Sequence, residues 1–164
     1  MRFTTTSDRS CGGTMMRSAY SVEPITCHRV DKAFALAKLA RPSLTVEVWR
    51  RFCRSAIVAA SQNDGRSASV LVAVNSSEYV QALCVHRTED VEGTQVLSVR
   101  CFIVASTLDP SGVQRELVRA LIDTCRKQNR REMRIERGCL DAGAVAQLEA
   151  SGFRPAGEWM CFTL

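Results

Sequence analysis

The sequence has no apolar run near the ~18 residues that a membrane span requires. Its longest, such as 70–74 and 101–105, are short. Eight cysteines are present, yet no two lie closer than Cys125 and Cys139. That spacing excludes a CxxC or CxH metal site. Cys84, Cys101, Cys125 and Cys161 fall at apolar periodic positions, so the cysteines read as small buried hydrophobes in a reducing cytoplasm. There is no Ser-His-Asp order and no Walker-type phosphate loop, no internal repeat and no low-complexity core. The first ~24 residues lack the apolar core of a secretory signal. They are rich in Ser, Thr, Gly and Arg. Residues 1–23 are therefore expected to be a disordered tail, or a stretch ahead of a start at Met15 or Met16. An organelle transit peptide is the remaining alternative.

What is present fits one globular domain, expected over 24–164: 164 residues, 46% hydrophobic and 24% charged. The net charge of +5 suits an anionic ligand such as a phosphorylated cofactor. The one dense basic cluster is Arg126, Lys127, Arg130, Arg131, Arg134 and Arg137. It reads as a solvated helix end, where cations complement the macrodipole, followed by a strand edge. A dedicated nucleic-acid binder concentrates its charge in a stripe, so nucleic acid is not an expected partner. A steep salt dependence of binding would be its mark.

Along the chain, 24–30 reads as a first strand, with Ile25, Cys27 and Val30 separated by polar residues. Asp31 offers an N-cap for a helix carrying Phe34, Leu36, Ala37 and Leu39, which Arg41-Pro42 ends. Thr45 can cap a second helix with a stripe of Val48, Phe52, Ala56 and Ala59, widened by Trp49 and Ile57. A turn at 62–66 precedes two apolar runs, 67–74 and 79–87, joined as a hairpin. A polar turn at 89–94 leads into a long strand at 95–105. A helix over 112–128, a short strand over 132–137, a helix capped by Asp141 and closed by Gly152, and a strand over 158–164 complete the order. The result is β-α-α-β-β-β-α-β-α-β. The strands flanking the long helix should be parallel, joined by a right-handed crossover. The expected class is α/β (α+β), a mixed, mostly antiparallel twisted sheet flanked by helices.

The segment from Phe102, Ile103 and Val104 through Asp109, Pro110, Ser111, Gly112, Val113, Gln114 and Arg115 ends a strand, turns and starts a helix. Such a helix start exposes unpaired N–H groups and a positive dipole end, which suits a pyrophosphate. It also reads as an ordinary βα connection.

The element order resembles the GNAT superfamily of N-acetyltransferases over about 24–164. That family's cofactor signature is Arg or Gln, two residues, Gly, one residue, then Gly or Ala, at the start of the third helix. Asp109, Gly112 and Gln114 stand at those places. Only the glycine is kept. A carboxylate at Asp109 repels a pyrophosphate unless it turns away as the helix cap; Arg115 and Arg119 are near enough to compensate. A second stretch is similar to the family's Asn-x-x-Ala-x-x-x-Tyr-x-x-x-Gly-Phe element. Ala144, Gly152 and Phe153 match, Arg154 follows, Asp141 replaces Asn, and Leu148 stands where many members carry a proton-donating tyrosine.

The resemblance implies an acetyl-CoA-dependent N-acetyltransferase, acting on a small-molecule or peptide amine by direct attack on the thioester. Phe102, Ile103, Val104, Asp109, Ser111, Gly112, Val113, Gln114 and Arg115 would bind acetyl-CoA. Carried over, a splayed strand end at Phe102, Ile103 and Val104 pairs with pantetheine and supplies a backbone N–H to the carbonyl oxygen. For the catalytic base, His86 and Glu92 are the expected residues, with Glu89, Asp90 and His28 as further candidates. The alternative is a GNAT-like domain that has lost catalysis and binds CoA or a protein partner. Trp159 and Met160 on the last strand serve either a homodimer or the core.

Overall fold

The computed structural model describes residues 19–62 and 67–164. Among these residues seven strands form one sheet in the order β1-β2-β3-β4-β5-β7-β6. These are β1 (Tyr20–Pro24), β2 (Ser69–Asn75), β3 (Val80–Val91), β4 (Thr94–Val104), β5 (Glu132–Glu136), β6 (Arg154–Ala156) and β7 (Trp159–Thr163). The helices are α1 (Val30–Ala40), α2 (Val46–Ser61), α3 (Pro110–Lys127) and α4 (Ala142–Ala150). All pairings are antiparallel except β4 with β5, and α3 makes that crossover. Among the described residues, no helix is long and apolar enough to cross a membrane.

The period of two in β2 sorts the chain into two cores. Val70, Val72 and Val74 face α1 and α2, where Ala33, Trp49, Cys53 and Ala56 are buried. Leu71 and Ala73 face the other way, toward Leu117, Leu121 and Cys125 of α3 and Leu148 of α4. Each such leucine contributes roughly 1.5–3 kcal/mol on burial. Cysteines 53, 84 and 125 are buried thiols, as small hydrophobes should be.

Several elements differ from expectation. The first strand is Tyr20–Pro24, not 24–30, so it begins inside the stretch assigned to the tail; residues 1–18 lie outside the described ones. Tyr20 and Val22 pack against the α3-side core. Pro24 closes the strand, and Ile25 N–H makes one last bond to Val70 O. Residues Cys27–Arg29 form a 3-10 turn in which buried Arg29 pairs with Glu23 and Glu78 at 2.5 and 2.6 Å. Asp31 therefore falls within the first turn of α1 and pairs with Arg50 at 2.8 Å instead of capping. In α2, Trp49 and Cys53 are buried rather than Val48, which is 44% exposed. The Trp49 indole donates to Val30 O at 2.7 Å and sets that rotation. Thr45 does cap, accepting from Val48 N.

The β3–β4 hairpin is tighter than the six-residue turn expected. Its two central residues, Glu92 and Gly93, take φ of 51° and 79°, as a two-residue I′ turn requires. The chain's end is a hairpin, β6 and β7, around Gly157, not a single strand. Met160 is fully buried in the core, while Trp159 is half-buried beneath the guanidiniums of Arg134 and Arg100, 4.2 and 5.5 Å from its ring centre. Of the turn expected at 62–66, only Gln62 lies within the described residues.

Candidate active-site cleft

Strands β4 and β5 pair over only four residues, from Val96 with Glu132 to Val99 with Ile135. Beyond that point they part. β4 runs on to Val104, still paired on its other side with β3. The chain leaving β5 turns away through a 3-10 turn, Arg137–Cys139. A cleft of about 840 Å³ opens where they separate, within the usual size range of small-molecule sites. Its walls are Arg100, Phe102, Ile103 and Val104 of β4, Glu136 and Cys139 after the parting, and the first turns of α3 and α4. Leu39 and Ala40 at the end of α1 close one side.

The start of α3 is built by its own residues. Asp109 is the N-cap: its Oδ1 accepts from Gly112 N at 2.8 Å. The amide of Asp109 donates to Ser106 Oγ at 3.3 Å, and Pro110, at the first helical position, has no N–H to offer. A Cβ at Gly112 would meet the Asp109 carboxylate at 1.9 Å, so the glycine makes room for this cap. Gln114 is buried and its Nε2 donates to Ala144 O at 3.0 Å. Gln147 returns the bond, donating to Ser111 O at 2.7 Å. These two bonds tie the first turns of α3 and α4 together across the cleft's floor. Val113 is wholly buried, and Arg115 is exposed.

Phe102 sends its ring into the α3-side core, so it meets the cleft through its backbone. The Cys139 thiol donates to Glu136 O at 2.9 Å. Burial pushes that thiol up to about 12, against a small opposing effect of the Phe102 backbone N–H; it is therefore a neutral group at the β4 edge. Glu136 and Asp141 are the carboxylates of the cleft. Asp141 is committed as the cap of α4, accepting from Ala144 N at 2.7 Å. The Glu136 carboxylate makes no hydrogen bond or ion pair among the described residues; Glu89 first, and then the charge of Glu136, hold Arg100 protonated.

The expected base residues do not line this cleft. His86 is buried on the α3 side of β3, and burial pushes it down to about 4. Glu92 sits at the tip of the β3–β4 hairpin. Asp90 accepts from Gly93 N and Gln95 Nε2 at 2.9 and 2.8 Å. His28 is exposed and within 3.1 Å of Thr26 Oγ1. Burial alone would raise Glu89, but hydrogen bonds from Arg100, Arg134, Arg87 and Ser98 outweigh it and hold the carboxyl well below the usual range. Such a group is a poor base. The basic cluster is also divided: Arg134 turns inward to Glu89 and Ser98, while Arg137 donates to Gly157 O.

Sequence reasoning missed Arg100, Glu136 and Cys139. Each lies within two positions of a residue it did single out, but only the β4–β5 register reveals that they face one opening.

No family model and no curated protein matches the sequence. Solved structures do match the fold. Glucosamine-6-phosphate N-acetyltransferase from Arabidopsis thaliana aligns at a TM-score of 0.65 and 14% identity, over 84% of this chain and 93% of its own. Aminoglycoside 6'-N-acetyltransferase from Acinetobacter baumannii aligns at 0.65 and 20% identity, over 83% and 91%. An N-acetyltransferase from Staphylococcus aureus aligns at 0.62 and 12% identity, over 88% and 97%. At these identities the likeness speaks for the fold alone: this chain has the GNAT-type fold that these N-acetyltransferases share.

Proposed function

We propose that this protein is an N-acetyltransferase that takes acetyl-CoA as donor and an amine as acceptor. The observation that carries the reading is the parting of β4 from β5 after Val99, which leaves a strand edge without a strand partner inside a cleft. Backbone edges of this kind recognise extended, amide-bearing chains by adding them as a further strand. The edge of Phe102, Ile103 and Val104 thus fits the pantetheine arm. Acetyl-CoA supplies the acetyl group as an activated thioester, which the amine attacks directly: the N–C bond forms, the C–S bond breaks, and CoA leaves as a thiolate that takes up the second amine proton through solvent. Glu136 stands at the mouth of the parting with its carboxylate uncommitted, and in this reading it takes the proton from the acceptor's ammonium group. Arg100, on the same wall, adds a positive charge to the cleft. Backbone N–H groups of the β4 edge hold the acyl oxygen. Seven unpaired thiols among the described residues fit a reducing compartment, and the cytoplasm is the place we assign.

The diphosphate end fits less well. The Asp109 side chain occupies the amide of Gly112, Pro110 offers none, and among the described residues of the first turns of α3 Arg115 is the cation with no ion pair. That observation favours a second reading, a catalytically silent GNAT-like domain that binds CoA weakly or serves a protein partner.

Thermal unfolding with acetyl-CoA, CoA and pantetheine separates the two. Donor at ~100 times its dissociation constant adds about 2.7 kcal/mol, a rise of roughly 5–10 °C for a domain this size. Glu136→Gln should keep that rise and lower turnover of a screened amine by ~10²–10⁴. No rise at millimolar acetyl-CoA rejects the transferase reading.

A further inference from the structure

The cleft runs between β4 and β5 and so opens on both faces of the sheet. Helices α3 and α4 wall it on one face, and the end of α1 walls it on the other. With the pantetheine arm along the β4 edge and the diphosphate at α3, the acceptor is left the α1 face. The strand register says which side chains it meets there. Ile135 points into the α3-side core, so its neighbour Glu136 points the opposite way. Ile103 packs with the α1-side core. Arg100 is the extra residue where the β3–β4 register shifts, between His86 with Val99 and Val85 with Cys101. Its guanidinium lies over Trp159, the strand partner of Glu136, and reaches Glu89.

This mouth of the cleft carries both signs of charge. The Glu136 carboxylate is uncommitted. Arg100 uses Nε and Nη2 on Glu89, at 3.0 and 3.3 Å, and its Nη1 donates to no group among the described residues. Arg87 and Arg134 also hold Glu89, so one carboxylate stands against three guanidiniums and cannot neutralise them. Arg100 and Glu136 feel each other's charge without pairing, which leaves the gap between them to a ligand. A simple amine would answer Glu136 and leave Arg100 unanswered; a simple carboxylate would do the reverse. A molecule with an ammonium group and a carboxylate on one carbon answers both. Beside them Leu39, 67% exposed, and Ile103 offer an apolar surface that a hydrocarbon side chain would cover.

We propose that the acceptor is a free α-amino acid with an apolar side chain: its ammonium group meets Glu136, its carboxylate meets Arg100 Nη1, and its side chain lies on Leu39 and Ile103. Transfer would turn the ammonium group into an N-acetyl amide and CoA into its thiol, and release one proton through Glu136. The role of acceptor rests on the transferase reading; the binding of the amino acid does not, and binding is what the test reads. The full-length chain, with and without millimolar CoA, is titrated with leucine, with leucinamide, which lacks the carboxylate, and with 4-methylpentanoate, which lacks the amine. The side-chain nitrogen signals of Trp159 and Arg100 report occupancy. Leucine should bind roughly fivefold to tenfold more tightly than either relative. Arg100→Gln should lower leucine to the affinity of leucinamide, and Arg100→Lys, which keeps the charge, should retain part of the preference. Glu136→Gln should lower leucine to the affinity of 4-methylpentanoate. Leucinamide binding as well as leucine would overturn the proposal and point to a peptide N-terminus instead. So would 4-methylpentanoate binding as well as leucine, or no response to leucine with or without CoA. The rise in Tm with acetyl-CoA is a separate reading: a rise without the leucine preference keeps the transferase and rejects this acceptor, and the preference without a rise keeps the amino-acid site and rejects the transferase.

Discussion

Glu89 shows how a single residue can look reactive and be the reverse. It is an acid on a strand next to a cleft, but three guanidiniums converge on it. Arg87, Arg100 and Arg134 approach to 2.6, 3.0 and 2.6 Å. Arg134 is the least exposed of the three and also stacks on Trp159. Glu89→Gln removes the charge that makes this gathering tolerable. It should destabilise the protein by about 2 kcal/mol, chiefly because Arg134, which has little water access, loses its counter-ion. Urea unfolding of the variant against the parent measures this, and the cost should appear as a shifted midpoint with an unchanged slope. The sequence shows the three arginines and the acid, and their period of two places Arg87 and Glu89 on one side of β3. It does not show that Arg100 and Arg134 arrive from two other strands. The same gap hid Glu136. A glutamate closing a short strand reads as a solvated edge, and only the long-range pairing of Val99 with Ile135 puts it at an opening. His86 was legible as a strand histidine, but strand periodicity gives a side of the sheet, not a distance from the cleft.

Among the elements, α3 is the one whose start matters most. Its Asp-Pro beginning is a readable cap signal, yet the apolar period alone starts the helix at Gly112, two residues after its true first residue, Pro110. The two roles compete for the same amides. Asp109→Ala should cost about 1 kcal/mol of stability through loss of the cap. Gly112→Ala should be close to neutral in the parent protein: the new methyl displaces the Asp109 carboxylate, while Ala gains up to ~1 kcal/mol of helix propensity over Gly. In the Asp109→Ala background that clash is gone and the same change should stabilise. A double-mutant cycle by thermal unfolding should therefore give a coupling near 1 kcal/mol; no coupling would mean that the two side chains do not share the space described. The body of α3 follows from its apolar period, and α4 from its caps at Asp141 and Gly152. The start of α1 does not follow from either, because Arg29 is held by Glu23 and Glu78, two distant partners that no local pattern announces. The short strand β6 escaped for a similar reason: Pro155 argues against a strand except at a sheet edge, which is where β6 lies.

For the molecule as a whole, His86 links stability to pH. Its folded value lies near 4, below the ordinary 6.5, and the cause is burial. The unfolded chain therefore takes up a proton that the folded chain refuses. The stability this represents is complete above pH 6.5 and is lost as pH falls toward 4. Between pH 6.5 and 4.5 the loss should be on the order of 2–3 kcal/mol, or roughly 5–10 °C in Tm. Glu89 and Asp31 are held low by their arginines, so their contributions fade only at more acid pH. Tm measured across this window for the parent and for His86→Phe should show the slope vanish in the variant. At this scale the reading from sequence was most successful: the meander, the crossover and the mixed sheet all follow from the order of apolar periods and turns. What it left out was how far each strand pair continues.

That extent has a consequence for the way the chain is made. Strands β1 to β4 are contiguous apart from α1 and α2, so a nascent chain can assemble this half of the sheet before β5 has been synthesised. During that interval the free side of β4 is a sticky border, open to any extended segment nearby. The arrival of β5 seals only the four residues from Val96 to Val99, and α4 with its preceding turn walls in the remainder. The mature protein thus preserves a remnant of its own half-made state, and the opening through which it would work is the part of that border which synthesis never closes.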